Sequence, residues 1–120
     1  MRIESEMMRG AGPVAVLKLL ERGEMYGYEL VEALNHRTGG VLAMGQSTLY
    51  PLLYNLEAKG LIESHWRDAD SGRQRRYYRL TGRGRKRLAA DSEQLTALSR
   101  ALAGLGILRP EAQLVAGATA

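Results

Sequence analysis

Apolar positions in this chain recur at helical spacing in four places and alternate in one. Val14, Leu17 and Leu20, with Val16, lie on one stripe and predict a first helix over 13–22. Gly10-Ala11-Gly12-Pro13 reads as a break before it, since Pro13 suits a first turn, where its missing N–H costs nothing. Residues 1–9, with Ile3, Met7 and Met8, are expected as an N-terminal arm or short helix. Gly23 stops the first helix, and the segment from Glu24 to Leu30 opens a second. Leu30, Val31 and Leu34 form its buried face, and Thr38-Gly39-Gly40 ends it. Leu49, Leu52, Leu53 and Leu56 fall at i, i+3, i+4 and i+7, committing one face of a third helix to a core. Ser47 is its expected N-cap and Gly60 its end. The opposite face carries Thr48, Tyr50, Pro51, Tyr54 and Asn55.

The period then changes to two. Leu61–Arg67 and Arg75–Leu80 read as strands of a hairpin, joined by a turn rich in Asp, Ser and Gly. Ile62, Ser64 and Trp66 share a face, so Trp66 is expected in the core. From Thr81 the pattern is helical again. Leu88, Leu95, Leu98, Leu102 and Leu105 keep a coiled-coil spacing interrupted by Asp91. One small domain cannot cover all these leucines, so they are expected to seal a homodimer. Pro110 is the expected stop. The predicted organisation is an arm over 1–9, a helical domain with a hairpin over 10–80, a dimerisation helix over 81–108 and a flexible tail over 109–120.

Charge sharpens this picture. The chain of 120 residues has a net charge of only +4. Nine basic residues, however, fall between Arg67 and Arg87, opposed there only by Asp68 and Asp70, while the remainder is net negative. Such segregation marks a polyanion-binding face. The expected fold is mainly α with a small β-hairpin: a winged helix-turn-helix followed by a long C-terminal dimerisation helix. A winged helix places one helix in the major groove and its hairpin on the flanking backbone. Cysteine is absent, which removes disulfides and thiolate metal sites. No apolar run approaches the roughly 20 residues that span a bilayer, and Met1 to Glu6 has no apolar leader core, so a cytoplasmic chain is expected.

Several segments taken together resemble the PadR family of transcriptional regulators, in its short form with one C-terminal dimerisation helix. They are Tyr26-Gly27-Tyr28-Glu29-Leu30, Ser47-Thr48-Leu49-Tyr50-Pro51-Leu52-Leu53 and Leu56-Glu57-Ala58-Lys59-Gly60-Leu61-Ile62. Trp66-Arg67, Gly72-Arg73, Arg75 through Thr81 and Gly84-Arg85 continue the pattern. The resemblance implies a homodimeric repressor of an inverted-repeat DNA operator. It implies DNA contact by Tyr28, by Gln46, Ser47, Thr48, Tyr50, Pro51 and Tyr54, and by Arg73, Arg75 and Arg76 of the wing. It also implies release by a small hydrophobic or phenolic effector in some members. An aromatic on the C-terminal helix, which lines the effector pore of known drug-binding relatives, has no counterpart after Tyr78.

Rival chemistries fare poorly. His36 and His65 have no neighbouring carboxylate pair at ligand spacing. Asp68-Ala69-Asp70-Ser71-Gly72 falls short of a calcium loop, because its Gly is one place early and Arg79 stands where a bidentate Glu is needed. Gly10-x-Gly12-x-x-Ala15 has no strand before it, as a dinucleotide loop requires. No catalytic constellation is evident, so neither enzyme activity nor a cofactor or metal is expected. The alternative is a winged-helix interaction module that uses its basic face on an acidic protein.

Overall fold

A computed structural model describes residues 1–108; the expected tail at 109–120 and stop at Pro110 lie outside the described residues. In chain order the elements are α1 (Ser5–Leu20), β1 (Met25–Tyr26), α2 (Gly27–Arg37), α3 (Gln46–Ala58), β2 (Ile62–Asp68), β3 (Gln74–Leu80) and α4 (Gly82–Gly104). Residues Met1–Leu88 form one compact unit, and a second begins at Ala89.

The expected break at Gly10–Pro13 does not occur. α1 runs through it, with Pro13 inside the helix. Met8, Gly12, Val16 and Leu20 recur every fourth residue and are all buried. A Cβ at Gly12 would stand 3.0 Å from Leu52 and 3.5 Å from Met44, so this glycine is a site of close helix packing. Tertiary contact thus overrides the local breaking tendency. Ile3 N–H also donates to the Val41 carbonyl at 3.1 Å, tying the chain start to the loop before α3.

The hairpin gains a third strand. Met25 and Tyr26, expected to open the second helix, pair with Tyr78 and Tyr77 to give an antiparallel sheet in the order β1-β3-β2. Tyr26 then precedes α2 in extended conformation, and its N–H is capped by the Glu29 carboxylate at 3.1 Å. α3 begins one residue before Ser47 and takes Gly45, not Ser47, as its N-cap. Pro51 lies in its second turn and cannot donate to the Ser47 carbonyl.

The core joins Leu17 and Leu20 of α1, Leu30 and Leu34 of α2, Leu49 and Leu53 of α3, and Ile62 of β2, all below 2% exposure. Leu88 belongs to this core at 4% exposure and is not available to a partner subunit. Leu95, Leu98 and Leu105 are exposed and Leu102 is half-buried. Among the described residues no helix is long and apolar enough to cross a membrane.

The join between sheet and α4 is tight. Gly60, at φ 74°, turns the chain out of α3. Thr81 N–H donates to the Leu61 carbonyl at 3.1 Å, and its hydroxyl donates to the Gly60 carbonyl at 2.7 Å. The same hydroxyl accepts the Gly84 N–H at 2.9 Å, capping α4. A Cβ at Gly84 would collide with the Leu61 carbonyl and with Leu80 Cδ1 at 2.8 Å. Gly82 faces open space. Gly84→Ala should therefore lower the unfolding free energy by about 2–3 kcal/mol, while Gly82→Ala should stay within about 0.5 kcal/mol of wild type. Urea denaturation of both variants checks the difference.

Candidate nucleic-acid interface

Burying Leu49, Leu53 and Leu56 turns the other side of α3 to solvent. Gln46, Ser47, Thr48, Tyr50, Pro51, Tyr54 and Asn55 are all exposed there, Tyr54 to 73%. Two large aromatic phenols on a solvated helix face suit a partner that offers hydrogen-bond acceptors and apolar edges. They differ in freedom. The Tyr50 hydroxyl lies where a Cβ on Gly27 would approach it to 2.5 Å, so Tyr50 bridges from α3 to the start of α2. Tyr54 projects without such support. Tyr28 is 54% exposed on α2.

The wing arginines divide into two groups. Arg67 pairs with Glu24, Arg76 with Glu57 at 3.1 Å, and Arg79 with Glu63 at 2.7 Å. Each is paired with a carboxylate of the fold while its guanidinium stays partly exposed. Arg73, at the turn beside Gly72 (φ 81°), is exposed and has no ion pair among the described residues. Arg75 is held otherwise: its guanidinium lies 4.4 Å from the Tyr26 ring centre, so its position is fixed without loss of charge. The uneven sequence charge is therefore partly neutralised in place, leaving Arg73 and Arg75 as the uncommitted cations of the hairpin.

The outer face of the sheet supports these side chains. Tyr77 sits at its centre, with Tyr26 edge-on at 5.5 Å, His65 stacked at 6.3 Å and Arg67 at 4.1 Å from its ring. Glu24 ties this group together, pairing with Arg67 and lying 3.2 Å from His65. Trp66, expected in the core, is instead 61% exposed. It stands opposite Arg76 toward the turn end of the hairpin, where β2 is exposed from Trp66 onward. Sequence reasoning also missed Tyr26 as the platform for Arg75 and Glu57 as the partner of Arg76. Neither pairing is signalled by spacing, because each joins elements far apart in the chain.

The sequence profile of the "Transcriptional regulator PadR-like family" matches residues 16–90, which include α2, α3 and both wing strands. The chain belongs to this family. A transcriptional regulator of Mycobacterium tuberculosis is 39% identical over 99 residues, covering 82% of this chain and 89% of that protein. A solved PadR family regulator from Eggerthella lenta is 35% identical with a TM-score of 0.73, covering 87% of this chain and 88% of that one. A PadR-like regulator from Bacillus cereus has a TM-score of 0.75 at 28% identity, covering 88% of this chain and all of that one. The winged-helix architecture and the assignment as a transcriptional regulator, not an enzyme, follow from these relatives.

Within this PadR regulator, two tyrosines have altered acidity. Burial pushes the Tyr78 phenol up. Tyr28 is raised for another reason: its hydroxyl hydrogen-bonds the Glu32 carboxylate, which would repel a phenolate. Tyr28 therefore stays a neutral donor at higher pH than an ordinary tyrosine. Glu32→Gln should bring its pKa back down, measured by an NMR titration of the Tyr28 ring; an unchanged titration would remove Glu32 as the cause.

Proposed function

We propose that this PadR regulator binds double-stranded DNA as a homodimer and represses from an inverted-repeat operator in the cytoplasm. The observation that carries this reading is the solvated face of α3, Gln46 to Tyr54, flanked by a wing whose Arg73 and Arg75 keep their charge unspent. In the proposed complex α3 enters the major groove. Gln46, Ser47 and Thr48 lie at its leading end, and Tyr50 and Tyr54 offer hydroxyl donors and ring edges. Pro51 adds an apolar surface without an N–H. Tyr28 meets the backbone from α2 by exchanging Glu32 for a phosphate oxygen as acceptor of its one O–H, and Arg73 and Arg75 take phosphates beside the groove. Because this face carries few amide or guanidinium side chains, shape and phosphate positioning account for much of its specificity.

The second copy is proposed to join through Leu95, Leu98, Leu102 and Leu105. Exposure of Leu105 to 76% and Leu98 to 53% supports a covering partner. Release by a small hydrophobic or phenolic effector comes from the family resemblance; without an aromatic after Tyr78, this chain would hold such a ligand by aliphatic contact and not by ring stacking.

Two experiments test the reading. Operator affinity should fall steeply with salt, and Arg73→Ala with Arg75→Ala should reduce the log–log slope by about 2. A gel-shift series against a duplex from the chain's own promoter region measures this. Retention of random duplex alone, only at low salt, would favour the rival reading of an interaction module for acidic proteins. Separately, Leu95→Asp with Leu102→Asp should yield monomers by light scattering and abolish tight operator binding. A double variant that stays dimeric would move the interface elsewhere.

A further inference from the structure

Arg76 differs from its neighbours in how completely it is engaged. Its Nη2 donates to Glu57 Oε1 at 3.1 Å, and its Nε donates to Ser64 Oγ at 2.8 Å. Ser64 closes the ring by donating its own hydroxyl to Glu57 Oε2 at 2.6 Å. One residue comes from each of α3, β2 and β3, so the three elements meet in a single hydrogen-bonded cycle. The guanidinium also lies 6.0 Å from the Trp66 ring and 5.8 Å from the Tyr78 ring.

The charge balance of α3 gives this cycle a reason. Glu57 stands in the last turn of the helix, where carbonyl dipoles disfavour a carboxylate, and that turn contains no basic residue. Lys59 at the C-cap brings one positive charge to this helix end, and Arg76 brings a second from the wing, bonded directly to the carboxylate. A phosphate on the remaining Nη1 edge would stand beside the Glu57 carboxylate, so two anions would compete for one guanidinium.

We propose that Arg76 is a positioning residue that does not touch DNA: with Glu57 and Ser64 it clamps the wing to the reading helix. The clamp fixes where Arg73 and Arg75 stand relative to α3, so that both can engage one half-site together. This inference rests on the DNA-binding reading, and the test separates the two.

The full-length protein is compared with Glu57→Gln, Arg76→Gln, their double variant and Arg73→Ala, on a fluorescent duplex of the chain's own promoter region across a salt series. Each clamp variant should bind about 10-fold more weakly, with the double variant no worse than either single, as coupled partners require. Their log–log salt slopes should match wild type, while Arg73→Ala lowers the slope by about 1. Amide exchange in β2 and β3 should quicken equally in both single variants. A slope reduced by about 1 in Arg76→Gln, with undiminished binding by Glu57→Gln, makes Arg76 a phosphate contact and overturns the clamp. Wild-type protein that binds no duplex refutes the DNA reading instead. Exchange then decides the clamp alone, and wing rates unchanged in both variants overturn it.

Discussion

Everything the proposed reading surface can do depends on the withdrawal of Leu49, Leu53 and Leu56 from water. Each such burial is worth about 1.5–3 kcal/mol, enough to set the rotation of α3 about its own axis. With that rotation fixed, Gln46, Thr48, Tyr50 and Tyr54 have nowhere to go but outward. α1 serves the same end from beneath: the bare backbone at Gly12 lets Leu52 and Met44 settle close, so the reading helix rests on a firm floor.

The wing obeys a different physics. A two-stranded ribbon reaching past its core has little hydrophobic area to hold it. Here the shortfall is met by aromatic rings, cations and carboxylates interleaved across the strands. Tyr77 gathers Tyr26, His65 and Arg67 on the outer face, and Glu57, Ser64 and Arg76 knit the other. Of the five arginines from Arg67 to Arg79, three pair with carboxylates of the fold, and Arg73 and Arg75 do not.

The helical stripes, the hairpin and the solvated face of α3 were legible because they are local and periodic. Contacts between distant segments were not. Gly12 and Pro13 look like breakers until Leu52 is seen against them, and two residues of β1 are too few to signal a strand without Tyr77 and Tyr78 alongside. Leu88 fits the leucine repeat as well as Leu95 does, yet it lies within the domain core. Trp66 has the alternation of a buried residue, but the ribbon leaves the core before reaching it. Counting arginines could not separate Arg76 from Arg75, since the difference lies in Glu57, nineteen positions away from the former.

The hydroxyl of Tyr50 rests over the bare backbone of Gly27, which makes these two positions a single design choice. Under the proposed DNA reading, randomising α3 alone would leave position 50 constrained by its neighbour at 27. A side chain at position 27 would push the far end of Tyr50 aside, and a shorter residue at 50 frees that space for another. Libraries that vary both together would reach combinations that one-at-a-time scanning rejects at the first step.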